Sequence, residues 1–202
     1  MARIPLPEAE DLRGWQRDQY GRFPSHLTRT LVLLDERLAR ALPDTANALR
    51  AAPLDARQRE GIILRVAALT GSAYERAQHL DQARALGWTT DQIRIIETTG
   101  TGVGTGVGRA VAREPDTPMR VASATPPASL PDGFADVLEF VDACVAGHAV
   151  TDDLFVRVRD VLSDRDLITV IVLVGHYLTV ARLSSLLNLQ PDPVPGPWDH
   201  EH

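Results

Sequence analysis

Arg59-Glu-Gly-Ile-Ile-Leu-Arg-Val-Ala-Ala-Leu-Thr-Gly-Ser-Ala-Tyr-Glu-Arg-Ala-Gln-His79 reads as two helices joined at a glycine. It follows Pro53 and Asp55-Ala-Arg-Gln58, a capping-box-like helix start. Ile62, Ile63, Val66, Ala67 and Leu69 supply most of the apolar surface of the helix, which runs to about Thr70. Gly71 breaks it. Ser72-Ala-Tyr-Glu75 is a second capping box, and its helix runs to about Leu86 with Gly87 as C-cap. Thr89-Thr-Asp-Gln92 is a third box, and its short helix ends before Gly100.

Outward from this centre the pattern stays helical. Residues 1–25 hold Pro5, Pro7, Gly14, Gly21 and Pro24 and read as an irregular arm, with a short helix near Ala9–Tyr20. Leu27, Leu31, Leu34, Leu38 and Leu42 recur at helical spacing, which predicts one amphipathic helix over 26–42. Pro43 is expected to end it, with a short helix near 44–52. Residues 100–133 alternate glycine with Thr and Val and then carry five prolines, so they read as a linker or excursion loop. No register there gives G-x-G-x-x-G, which argues against a phosphate loop.

Beyond that loop, Val137, Leu138, Val141, Cys144 and Val145 form one helix face. Thr151 caps a second helix and Ser163 a long third one, about 164–188. The β-branched centre of the last could be a buried strand, but its cap, its length and the absence of partner strands favour helix. The fold class is all-α, divided into an arm (1–25), a helical half (26–99), a loop (100–133), a second half (134–190) and an extended Pro-rich tail (191–202). Gly175 and Tyr177 echo Gly71 and Tyr74, which suggests two similar halves.

The composition removes several chemistries. All 21 basic residues among the 202 are arginine. Without lysine there is no Schiff-base chemistry and no Walker-A or kinase lysine. The net charge of −6 argues against non-specific nucleic-acid binding. Cys144 stands alone, so there is no internal disulfide and no CxxC pair. No signal peptide is evident, and the longest apolar run, Leu167–Gly175, is short of the ~20 residues of a transmembrane helix. The expectation is a cytoplasmic protein without membrane or nucleic-acid partners.

The cluster Glu60, Ser72, Glu75 and His79 carries the most chemistry. Positions 72, 75 and 79 share a helix face, and Glu75 lies one turn from His79. A carboxylate beside an imidazole fixes its tautomer and raises its pKa, which suits a general acid or base. Glu60 can fold back against them across Gly71. The same spacing also fits a plain capping box with a surface partner, and both readings stay open. His176, beside Tyr177, can face the same cavity. His26 reads as local capping, His148 as part of a turn, and His200 with His202 as a terminal pair too loose for a metal.

The quoted stretch resembles the core of the carboxymuconolactone decarboxylase family, which includes the alkylhydroperoxidase D proteins. Redox members of that family read Arg-Glu, an apolar helix, then Gly-Cys-x-x-Cys-x-x-x-His. Glu60 and His79 match the family's glutamate and histidine, while Ser72 and Glu75 stand where its cysteines would be. Ala83-Arg-Ala-Leu-Gly-Trp-Thr-Thr-Asp-Gln-Ile93 continues the resemblance, and 134–190 is more weakly similar to the second half of two-repeat members.

The resemblance implies an alkylhydroperoxidase-D-like bundle and a homo-oligomer, trimer or hexamer. A dithiol peroxidase is disfavoured, because Ser72 and Glu75 can neither attack nor resolve. It implies instead a cofactor-free, metal-free lyase-type enzyme acting on a small organic acid or lactone. His79, Glu75 and Glu60 would be its acid–base residues, with Ser72, Arg65, Tyr74 and His176 toward substrate. Arg76 flanks the motif as a second candidate cation. The alternatives are a non-catalytic ligand-binding or assembly protein, and a peroxidase working through Cys144.

Overall fold

The structure is a computed structural model, and it describes residues 2–98 and 129–192. These are helical throughout, with no strand among them. After a 3-10 turn over Ala9–Asp11 come α1 (Trp15–Arg22), α2 (His26–Leu31), α3 (Glu36–Ala51), α4 (Ala56–Thr70), α5 (Ala73–Ala85) and α6 (Thr90–Thr98). On the far side of the undescribed segment lie α7 (Phe134–Ala146), α8 (Asp152–Val161) and α9 (Asp164–Leu187). The glycine run 100–108 falls outside the described residues.

α4 is the central helix. Asp55 caps it by accepting from the Gln58 N–H at 2.8 Å. Every residue from Glu60 to Ala67 is buried, as a helix enclosed on all sides requires. It packs against α5, α6, α7 and α9. Burying Ile62, Ile63, Leu64 and Val66 contributes roughly 1.5–3 kcal/mol each. Gly61 allows close approach on the α7 side, where an added Cβ would lie 2.8 Å from Phe134 Cζ and 3.0 Å from Trp88 Cζ2.

The turn from α4 to α5 prepares the site. Gly71 adopts φ +64°, and its N–H donates to the Ala68 carbonyl while the Ser72 N–H donates back to Ala67. The Ser72 hydroxyl still accepts from the Glu75 N–H at 3.3 Å. Because the Ser72 N–H is already used, the Glu75 carboxylate need not complete the expected box and turns inward. Thr89 and Gln92, by contrast, make both halves of theirs.

Two boundaries differ from the sequence reading. The single helix expected over 26–42 is broken at 32–35, because Asp35 starts a new helix by accepting from the Leu38 N–H. The leucine row is therefore split, and Leu34 and Leu38 are exposed. Pro43 does not end a helix: α3 runs through it to Ala51. The arm holds the 3-10 turn and α1, and the Arg3 N–H bonds the Leu187 carbonyl at the end of α9.

α9 is a helix as expected, capped by Ser163. By length and mean hydropathy (1.7) it could cross a membrane, but half of that apolar window is buried inside the fold. It packs against α3, α4, α5, α7 and α8. Gly175 lies inside α9 whereas Gly71 ends α4, so the echo between the halves does not extend to a helix break.

Candidate active site

His79 sits on α5, buried, and its ring is held from behind. Nδ1 lies 2.7 Å from Oε2 of Glu60 on α4. The Arg59 guanidinium stands 3.4 Å from the other oxygen of Glu60. Burial pushes the Glu60 carboxyl up, but the hydrogen bond and charge of His79, with Arg59, outweigh it and hold the group below its ordinary value. Glu60 is thus the ionised partner that keeps the proton on Nδ1 and leaves Nε2 facing forward.

Glu75 lies on the other side of the ring. Its Oε2 is 3.7 Å from His79 Nε2, too long for a hydrogen bond. Burial pushes this carboxyl up to about 7, against the opposing charge of His79. The expectation that Glu75 orients His79 is therefore corrected. Glu60 does so, because the Gly71 turn folds α4 directly behind the imidazole, while the i,i+4 geometry leaves Glu75 short of contact.

In front of Glu75 and His79 is a cavity of about 70 Å³. That is room for several water molecules or the head of a small ligand. Phe23, Leu27, Leu31, Leu42, Pro43 and Val180 form its apolar wall. Arg50, Tyr74, Gln78 and His176 add polar groups, as do the hydroxyls of Ser25 and Thr28. Tyr177 lies edge-on between His79 and His176, 5.1 Å from each ring. Burial lowers His176 to about 4, helped by the charge of His79, so it is a neutral imidazole. Burial and the charges of Glu75 and Glu60 raise the Tyr177 hydroxyl far above its ordinary value.

Of the residues singled out from sequence, Glu75, His79, Tyr74 and His176 meet at the cavity, with Glu60 directly behind. Two lie elsewhere. Arg65 is fully buried, and its Nε and Nη2 grip both oxygens of Asp142 at 2.6 and 2.5 Å while Nη1 donates to the Ile96 carbonyl. That fork ties α4 to α7 and α6, so its donors are not available to a substrate. Ser72 caps α5 and touches the Ser184 hydroxyl at 3.2 Å, away from the cavity lining. Arg76, the second candidate cation, pairs with Glu97 on the surface.

Sequence reasoning missed Arg50, Gln78 and Asp192. Gln78 had a signal, since it follows Tyr74 by one helical turn beside Glu75 and His79. Arg50 had none, because α3 reaches the cavity only in the fold. Cys144 is half-buried on α7, and burial raises its thiol. Among the described residues no three His, Cys, Asp or Glu are grouped to hold a metal ion. His200 and His202 fall outside the described residues.

Solved structures share this fold. An AhpD-core, peroxidase-related protein from Ralstonia eutropha JMP134 superposes with TM-score 0.71 at 16% identity, over 95% of this chain and 93% of that one. A peroxidase-related protein from Silicibacter sp. TM1040 gives 0.64 at 15%, over 94% and 88%. An Agrobacterium tumefaciens protein of unknown function, linked in its name to AhpD and antioxidant defence, gives 0.58 at 19%, over 77% and 90%. At these identities the likeness concerns the fold alone. No match to the chain is found among curated proteins. Residues 36–112, which carry Glu60, Glu75 and His79, match the carboxymuconolactone decarboxylase family.

Proposed function

We propose that the chain is a cofactor-free acid–base enzyme, a decarboxylase, lyase or isomerase acting on a small organic acid or lactone. The observation that carries this reading is one imidazole between two carboxyls of opposite tendency. Glu60 is held ionised behind His79, and Glu75 is held toward its protonated form in front of it. Groups pushed apart in this way divide into base and acid.

In a decarboxylation the bond from the α-carbon to the carboxylate breaks, CO2 leaves, and the electron pair stays as an enolate. Glu75 gives its proton to that carbon and recovers one from solvent. In an isomerisation His79 Nε2 takes a proton from carbon, its charge compensated by Glu60, and Glu75 delivers one at the new position. The apolar wall strengthens these charges by excluding water. Arg50 is the lining cation, and an arginine fork suits a carboxylate.

A non-catalytic protein would be expected to plug the Glu75–His79 face, and the cavity there argues against that reading. A peroxidase would need Cys144, whose raised thiol is a poor nucleophile. A homo-oligomer is proposed as well, supported by the exposed apolar side chains of Phe155 and Val156 on α8 and of Ile168, Ile171 and Val172 on α9. Sedimentation gives the copy number, and a monomer would contradict it.

The test is a panel of β-keto acids and unsaturated lactone acids in D2O, followed by NMR for CO2 loss and deuterium uptake at carbon. Turnover of a panel member is expected to fall 10²-fold or more in His79→Ala, with the fold intact. Turnover unchanged in that variant would refute the reading. Hydroperoxide consumption lost in Cys144→Ser would favour the peroxidase.

A further inference from the structure

A second set of donors stands at the rim of the cavity and converges on one carboxylate, that of Asp192. α9 stops at Asn188, which adopts φ +53°. The Leu189 N–H then bonds back to the Ser184 carbonyl, and Leu189 is buried. This turn sends Gln190 to Asp192 back toward α5 and α2. Oδ2 of Asp192 accepts from the Tyr74 hydroxyl at 2.8 Å and from Gln78 Nε2 at 2.8 Å. Oδ1 accepts from the His26 backbone N–H at 2.8 Å, with the ring Nδ1 of His26 at 3.0 Å. His26 is therefore not the helix cap that the sequence suggests: Ser25 caps α2, and the ring faces Asp192 and the Gln190 carbonyl.

This is a built carboxylate site. The Asp192 side chain is only 8% exposed, and a carboxylate withdrawn that far from water needs the donors it has here. The donors come from two helices, and the carboxylate comes from a short proline-flanked segment. Two of the donors also belong to the cavity: Tyr74 and Gln78 line it. They form an i,i+4 row beside the Glu75–His79 row on the same helix. A carboxylate placed between Tyr74 and Gln78 would hold the rest of a small acid toward Glu75 and His79.

We propose that His26, Tyr74 and Gln78 form a carboxylate-receiving cradle at the cavity rim, and that Asp192 is its built-in occupant, displaced by the carboxylate of an entering small organic acid. The identity of the natural ligand rests on the acid–base reading above. The cradle itself does not, and it is tested with sodium acetate alone, without turnover.

Asp192→Gly empties the cradle. This variant is expected to melt about 3–8 °C below the parent chain. Acetate at about 100 mM, against chloride at equal ionic strength and pH, is expected to recover at least half of that loss. The recovery should vanish when Tyr74→Phe and Gln78→Ala are added. In the parent chain, acetate followed by NMR at Gln78 Nε2 should reach the same bound shifts with an affinity at least tenfold weaker, because Asp192 competes. If Asp192→Gly fails to fold, Asp192→Asn serves: a neutral occupant yields more readily, so acetate should bind it about tenfold more tightly than the parent chain. No acetate-specific recovery, or no gain in affinity in Asp192→Asn, would make Asp192 a structural tie only. Acetate binding in Asp192→Gly with none in the parent chain would overturn displacement. These outcomes are independent of whether any substrate is turned over.

Discussion

His79 Nδ1 stands 2.7 Å from Glu60 Oε2, across the turn that Gly71 makes between α4 and α5. The contact fixes one nitrogen and leaves the other toward Glu75 and the cavity. Glu60→Gln keeps the shape and removes the charge. Turnover is expected to fall by about 10²–10⁴-fold, as when an orienting carboxylate is lost. Stability should fall by about 1–3 kcal/mol, since a charge-assisted bond to a buried group is weakened. Kinetics and urea unfolding of the same preparation check both.

Stability should depend on pH through two opposing groups. Glu75 titrates near 7 in the folded chain and near 4.5 unfolded, so the folded state binds more protons between those values. Its contribution is present below 4.5 and is lost as pH rises to about 7, on the order of 3 kcal/mol. His176 titrates near 4 folded and near 6.5 unfolded, so stability rises with pH over that window by a similar amount. The two offset each other between about 4.5 and 6.5. Glu75→Gln should expose the rise and His176→Gln the fall, read as Tm against pH.

Arg65→Met should cost about 3–5 kcal/mol, because it leaves the partly buried Asp142 carboxylate without its fork. The cavity should keep its ligand affinity, because Arg65 does not line it. Urea unfolding and a ligand titration separate the two effects. A loss of affinity at unchanged stability would contradict the structural role.

Gly61→Ala tests the packing of α4 on α7. Its methyl would lie 2.8 Å from Phe134 Cζ, inside ordinary contact distance. Destabilisation of about 1–3 kcal/mol is expected, and thermal unfolding measures it.

The helices and most of their starts were legible in the sequence because capping is local chemistry. Asp55, Thr89, Thr151 and Ser163 each act within three residues of themselves. Asp35 was missed because the leucine spacing continues through it. Pro43 was misread because a proline's cost inside a helix can be outweighed by the packing around it. The site was legible in part. The residues of α5 share a face, and Glu60 lies one helix away. Which carboxyl holds His79 depends on how α4 and α5 cross, and no spacing rule gives that. Arg65 looked like a cation in an apolar run, and its partner Asp142 lies beyond the loop. Asp192 sits in a Pro-rich tail with no periodicity, so only the fold brings it to Tyr74 and Gln78.

His79 lies between a carboxyl held ionised, Glu60, and one held toward its protonated form, Glu75. Carbon-detected NMR titration of the side-chain carboxyls, with Glu60→Gln and Glu75→Gln for assignment, reads both groups at once. Glu75 is expected to titrate near 7 and Glu60 below its ordinary 4.5. Both carboxyls titrating together near 4.5 would contradict it.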